Sequence, residues 1–254
     1  MLRVENICKS FGGLKAVQDF TMTIRPKELV GLIGPNGAGK TTVFNLLTGL
    51  EEIDSGGIFL NNFKISGLPA HRISHRGLSR TFQNIRLLRN LTVLENIKIA
   101  YHQHIRYHLW DAALHTPRFK KEEAEIERKS HEFLDIFGLD HVTAHLAGAL
   151  PYGMQRKLEI ARALATESRL LLLDEPAAGM NPRETTELMD LIHKIKDRFD
   201  LSILLIEHDM KLVMSICQRI IVMDAGRVIA RGAPQEIRNN PAVIEAYLGK
   251  EAKK

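Results

Sequence analysis

The chain has 254 residues, a formal net charge of +5, 44% hydrophobic and 26% charged residues, the make-up of an ordinary globular protein long enough for a large core in one or two domains. No apolar run approaches the roughly 18 residues of a membrane span, the start Met1-Leu2-Arg3-Val4-Glu5 lacks an apolar signal core, and the scattered Cys8 and Cys217 suit a reducing cytosol rather than a disulfide framework. The positive balance permits contact with nucleic acid or anionic lipid without arguing for either.

Up to about residue 65, short apolar runs alternate with turn residues. Leu2-Arg3-Val4, Phe20–Ile24 and Gly57–Leu60 read as strands, with Asp54-Ser55-Gly56-Gly57 as a turn. Leu29-Val30-Gly31-Leu32-Ile33 is an unbroken apolar run of the kind a strand buried on both faces needs, and Val43, Leu46 and Leu47 predict a helix soon after it. Residues 70–100 carry a helical pattern, interrupted at Thr81-Phe82-Gln83 and resumed around Val93–Ala100. From Tyr101 to Phe119 the periodicity is poor and histidine frequent. Glu122 to Phe137 predicts a charged helix with Ile126, Phe133, Leu134 and Phe137 on its apolar side. A further helix runs from about Met154 to Ala165. The continuous apolar runs Leu170–Leu173 and Ile203–Ile206 then flank a helix from about Arg183 to Phe199. Strand–helix–strand of this kind implies parallel neighbours joined by a right-handed crossover. The pattern predicts an α/β fold: a parallel-sheet core, a β-rich N-terminal part and a mostly helical insertion. The expected division is one domain over residues 1–250, with about 1–84 and 156–250 as core and about 85–155 as the insertion. Glu251-Ala252-Lys253-Lys254 reads as a frayed tail.

Directly after the first buried strand stands Gly34-Pro35-Asn36-Gly37-Ala38-Gly39-Lys40-Thr41-Thr42. Its G-x-x-x-x-G-K-T core, between a strand and a helix, predicts a phosphate cradle. Glycines let successive N–H groups turn inward, and the following helix adds its positive end. Lys40 suits the β- and γ-phosphates of a nucleoside triphosphate, and the Thr41 hydroxyl suits Mg²⁺. The run Leu170–Leu173 ends in Asp174-Glu175-Pro176. Asp174 can hold Mg²⁺ opposite Thr41, while Glu175, offset by strand alternation, is free to deprotonate an attacking water. His208, after the next apolar run, falls at the carboxyl end of a strand, where open α/β sheets bind ligands.

This ordered set resembles the ATP-binding-cassette ATPases over essentially the whole chain. The matching segments are the P-loop Gly34–Thr42, a Q-loop glutamine Gln83, a signature Leu150-Pro151-Tyr152-Gly153-Met154-Gln155, the strand Leu170–Glu175, a D-loop Ala178-Gly179-Met180-Asn181, and a switch histidine His208. The resemblance implies a P-loop NTPase of ABC type that hydrolyses ATP with Mg²⁺. It implies Phe11 stacking on adenine, Gln83 joining Thr41 and Asp174 at Mg²⁺, Glu175 as general base, His208 at the γ-phosphate, and two cassettes sandwiching ATP. In that sandwich Tyr152 and Gly153 would face the partner's nucleotide. The signature departs from the usual Leu-Ser-Gly-Gly-Gln at Pro151, Tyr152 and Met154, and Asn181 stands where Asp is common.

Further segments are similar to the bacterial branched-chain amino-acid importer ATPases: Arg80–Asn84, Leu91–Asn96, Asp174–Gly179, Ile206–Lys211 and Glu236–Pro241. That subgroup implies a sister ATPase, two transmembrane permease subunits, a periplasmic solute-binding protein acting indirectly, and a peripheral place on the cytoplasmic face of the membrane. No nucleic acid is expected. Rival readings are a P-loop kinase, against which the signature helix argues, and a cassette of repair or translation, which would need long coiled-coil arms or a second cassette. His102, His104, His108 and His115 lack metal-ligand spacing. Arg72, Arg76, Arg80, Arg86 and Arg89, flanking Gln83, read either as a solvated helix face or as a docking surface for the membrane partner.

Overall fold

The computed structural model describes residues 1–105 and 109–251. An N-terminal antiparallel sheet has the order β2-β1-β4-β5, built from β1 (Leu2–Phe11), β2 (Leu14–Ile24), β4 (Ser55–Leu60) and β5 (Phe63–Lys64). Between its strands the chain leaves for the second sheet, forming β3 (Leu29–Ile33) and then α1 (Lys40–Leu47). After β5 come α2 (Ala70–His75), β6 (Leu78–Arg80), α3 (Val93–Tyr101), α4 (Leu109–Ala113), α5 (Pro117–Ile136) and α6 (Tyr152–Leu164). They are followed by β7 (Leu170–Asp174), α7 (Pro182–Arg198), β8 (Ser202–Ile206), α8 (Met210–Ile216), β9 (Arg219–Asp224), β10 (Arg227–Gly232), α9 (Pro234–Arg238) and α10 (Pro241–Glu251). The second sheet has the order β10-β9-β3-β8-β7-β6, parallel throughout except for the antiparallel edge strand β10.

Every residue of β3, β7 and β8 is buried, because both faces of the sheet are covered. Alternate side chains go to different cores. Leu29, Ile33, Leu171, Leu173, Ile203 and Leu205 pack with α3, α5, α6 and α7. Val30, Leu32, Leu170, Leu172, Leu204 and Ile206 pack with α1 and the antiparallel sheet. The sheet therefore serves as a common wall, and the ends of β3, β7 and β8 come out side by side.

The structure corrects several local expectations. Leu78–Arg80 is a strand paired with Leu170–Leu172, not a helical turn. The turn expected over Asp54–Gly57 is already strand from Ser55. Gly56 there has φ +90, and a Cβ would lie 2.4 Å from the Glu5 carbonyl oxygen, where the β1–β4 register shifts. Helix α5 begins at Pro117, ahead of the expected Glu122, because the Thr116 hydroxyl accepts from the Phe119 N–H and Pro117 suits the first turn. Of the expected frayed tail, Ala252, Lys253 and Lys254 lie outside the described residues, as does His108. Among the described residues no helix is long and apolar enough to cross a membrane.

Candidate functional site: a phosphate loop beside a shared carboxylate

The loop from β3 to α1 is shaped by two glycines, Gly34 and Gly39, that no other residue could replace without collision. At Gly34 (φ +152) a Cβ would stand 2.1 Å from the Met223 carbonyl oxygen, and at Gly39 (φ +100) 2.4 Å from that of Ala16. The ends of β9 and β2 thus press the loop into its cradle. The first turn of α1 holds no acidic residue, so no carboxylate there offsets the positive end that the helix turns toward the loop. Lys40 is only 6% exposed. Its Nζ donates to the carbonyls of Gly34 at 2.7 Å and Pro35 at 3.0 Å, folding the side chain back over the loop it leaves.

A cavity of about 700 Å³ opens here, walled by Asn36–Thr42, Phe11, Glu175 and His208 among others. Phe11 ends β1 and is 45% exposed, so its ring is available at the wall rather than consumed in the core. Lys9 Nζ lies 5.2 Å from its centroid.

Glu175 leaves β7 with φ +47 and its N–H donates to the Ile206 carbonyl at 2.9 Å. Its carboxylate is shared: Oε2 accepts from Gln83 Nε2 at 3.0 Å, and Oε1 lies 2.7 Å from His208 Nε2. The structure therefore brings Gln83, Glu175 and His208 together at the P-loop, as parallel strands with adjacent ends allow. Glu207 braces the same corner, accepting from the Ala177 N–H at 2.8 Å and the His208 N–H at 3.2 Å. Burial pushes its carboxyl pKa up, opposed by those two backbone bonds.

Asp174 takes a different position from Glu175. It is 3% exposed, and its Oδ2 accepts from Arg80 NH2 at 2.7 Å while Arg80 NH1 donates to Asn45 Oδ1 on α1 at 2.7 Å. Thr41 lines the cavity. Mg²⁺ held largely by phosphate oxygens and water needs only one or two carboxylates and few other protein oxygens. The Thr41 hydroxyl, the Gln83 amide oxygen and the remaining Asp174 oxygen fit that need chemically. Among the described residues no cluster of three or more His, Cys, Asp or Glu is placed to hold a metal ion by itself; His102 instead faces Glu123 at 3.2 Å and His115 packs on Phe119.

Tyr152 and Gly153 open α6 and do not line this cavity. A Cβ on Gly153 would meet Glu184 Oε1 at 3.3 Å, and the Tyr152 ring packs beside Gly179. Pro151 occupies the N-cap position without a capping side chain. Asn181 is accounted for as the N-cap of α7: its Oδ1 accepts from the Glu184 N–H and Glu184 Oε2 accepts from the Asn181 N–H, both at 3.0 Å.

The five arginines around Gln83 do not form one face. Arg80 is buried against Asp174, the Arg76 guanidinium lies 3.2 Å from the Phe63 centroid and that of Arg86 3.9 Å from the Phe82 centroid. Two buried groups on α6, Arg156 and Glu159, escaped the sequence reading. Their helical spacing looks like a surface pair, yet they form an ion pair at 2.7 Å with 0% and 3% of the side chains exposed.

The ABC transporter family profile matches residues 17–178, and a profile for branched-chain amino acid ATP-binding cassette transporters matches residues 227–253. The chain is 48% identical over 249 residues to the high-affinity branched-chain amino acid transport ATP-binding protein LivG of Salmonella typhimurium, covering 98% of each. It is 46% identical to BraF, the protein of the same description in Pseudomonas aeruginosa, again with 98% of each covered. At 36% identity over 100% of this chain and 99% of the other, it also resembles the lipopolysaccharide export system ATP-binding protein LptB of Haemophilus influenzae. Among solved structures, the ADP conformation of MJ1267, an ATP-binding cassette of an ABC transporter, superposes with a TM-score of 0.85 at 31% identity, 98% of each chain covered.

Proposed function

This chain belongs to the ATP-binding cassette family of ABC transporter ATPases, and from that membership we propose that it is the ATP-hydrolysing subunit of an importer for leucine, isoleucine and valine. Support for the solute comes from the names of the relatives at 46–48% identity and from the branched-chain profile on the last elements. Nothing in the cavity itself selects an amino acid, as suits a subunit that supplies work rather than specificity. The proposal includes a sister cassette, two permease subunits, a periplasmic binding protein and a peripheral place at the cytoplasmic membrane face. It also treats about 85–155 as a helical subdomain on a core of about 1–84 and 156–250.

The observation that carries the mechanism is the Glu175 carboxylate, held between Gln83 and His208 beside the phosphate loop. In the proposed reaction adenine stacks on Phe11 and the phosphates enter the loop Gly34-Pro35-Asn36-Gly37-Ala38-Gly39-Lys40-Thr41-Thr42. Lys40 then exchanges its Gly34 and Pro35 carbonyl partners for phosphate oxygens, gaining charge-assisted bonds. Thr41, Gln83 and Asp174 would hold Mg²⁺, which neutralises charge between the β- and γ-phosphates when bound. Glu175 accepts the proton of the attacking water, and His208 fixes the carboxylate and meets the γ-phosphate. Tyr152 and Gly153, away from this cavity, would serve the nucleotide of the sister cassette through the N-terminus of α6.

The test is ATP-driven uptake of labelled leucine by proteoliposomes containing this chain with its permeases, sister cassette and binding protein. Uptake competed by isoleucine and valine is the expected result. ATP hydrolysis stimulated instead by another solute, with no leucine uptake, would keep the ATPase and reject the cargo.

A further inference from the structure

The segment after β6 that carries Gln83 has few backbone partners of its own, yet it is not loose. Side chains of α6 hold it group by group. Arg156 NH1 donates to the Phe82 carbonyl at 2.7 Å and NH2 to the Gln83 carbonyl at 2.8 Å. Glu159 Oε1 accepts from the Phe82 N–H at 3.4 Å and the Arg86 N–H at 3.1 Å, and Arg162 donates to the Arg86 carbonyl. The same Arg156 NH2 reaches the Tyr152 hydroxyl at 3.2 Å, in the first turn of α6.

Stability alone does not account for such a pair. Buried ion pairs are often no better than apolar residues of equal volume, and Arg156 keeps a buried Nε with no hydrogen-bond partner. What the pair supplies is geometry. A planar guanidinium fixes two consecutive carbonyls relative to one helix, which a lysine's point charge cannot do.

We infer that Arg156, braced by Glu159, is a positioning residue that makes residues 82–86 ride on α6, so that the orientation of α6 sets how Gln83 engages the Glu175 carboxylate. The inference rests on the reading of Glu175 as general base. It extends that reading by naming the mechanical link. One end of α6 carries Tyr152 and Gly153, and its flank holds the backbone on both sides of the Gln83 side chain. A displacement felt at the start of the helix is therefore delivered to the carboxylate by a chain of bonds from Tyr152 through Arg156 and Gln83 to Glu175. Arg156 touches no reacting atom.

The test is a double-mutant cycle on ATP turnover in the assembled transporter with Arg156→Lys and Gln83→Ala. Arg156→Lys should lower kcat about tenfold while leaving KM for ATP within about twofold, and adding it to Gln83→Ala should cost nothing further. Hydrogen exchange in the peptide covering 82–86 should quicken in Arg156→Lys without a change elsewhere in the sheet. Effects that multiply in the double variant, an unchanged kcat, or unchanged exchange would each overturn the inference. If Arg156→Lys folds poorly, Glu159→Gln carries the same cycle, since it keeps an oxygen acceptor for the two amides while weakening the pair. Loss of turnover in Glu175→Gln together with a multiplicative cycle rejects this link alone. Full turnover in Glu175→Gln rejects the base and this link with it.

Discussion

Arg80 and Asp174 form an ion pair at 2.7 Å in which the side chains are 6% and 4% exposed. It ties the short edge strand β6 to the strand that ends in the site, and through Asn45 it reaches α1. Asp174 thereby has a cationic partner in a place where a lone carboxylate would be costly to bury. Arg80→Ala should lower the stability to denaturant by about 3–5 kcal/mol, because it leaves that charge unpaired rather than removing the pair. A midpoint within experimental error of the wild type would mean that Asp174 finds another partner or water.

Phe11 offers its ring to the cavity with nearly half its surface exposed. Phe11→Ala should weaken ATP binding by about 1–3 kcal/mol, the usual cost of losing one aromatic–base stack, with little effect on unfolding because the ring is not core. Phe11→Trp should bind at least as well. Titration with a fluorescent ATP analogue measures both, and equal affinity in Phe11→Ala would remove the ring from the binding surface.

Glu28 and Arg219 join the start of β3 to the start of β9 by bonds of 2.8 and 3.0 Å. Burial alone would raise the Glu28 pKa, but hydrogen bonds from Arg219 and the Arg25 N–H, with their positive charges, hold it below the ordinary 4.5. A carboxyl with a depressed pKa in the folded state stabilises the fold above its unfolded value and loses that contribution as pH falls through the folded value. Stability should therefore decline below pH 4.5 more steeply in the wild type than in Glu28→Gln, which should already be weaker at neutral pH. Denaturant midpoints measured from neutral to acid pH decide this; parallel curves would show that Glu28 makes no contribution to the slope.

Much of the site could be read from sequence where local pattern and chemistry coincide. An unbroken apolar run, a glycine loop and a helix start are contiguous, so Leu29–Thr42 declares itself, and Asp174-Glu175 stands at the end of another such run. Arg80 could not be read in this way. A three-residue strand is too short to display a period, and its Leu78 continues the spacing of the preceding helix. Arg156 and Glu159 failed for a different reason. Their helical spacing is that of a solvated pair, and only the polar backbone of residues 82–86, folded onto α6 from a distant part of the chain, makes their burial favourable. The strand β10 carries an ordinary half-apolar pattern, whereas β9 holds the unbroken apolar run Ile220–Met223, as legible as the other buried strands, yet it escaped the sequence reading. Its pairing with β3 makes it part of the central sheet.

Turnover of the assembled transporter with Glu175→Gln tests the central claim most directly. The side chain keeps its size and hydrogen-bonding reach toward Gln83 and His208 but no longer takes a proton. Phosphate release should fall by about 10²–10⁴-fold while ATP binding persists. Wild-type phosphate release from Glu175→Gln would contradict the account and leave the base to be sought elsewhere in the cavity.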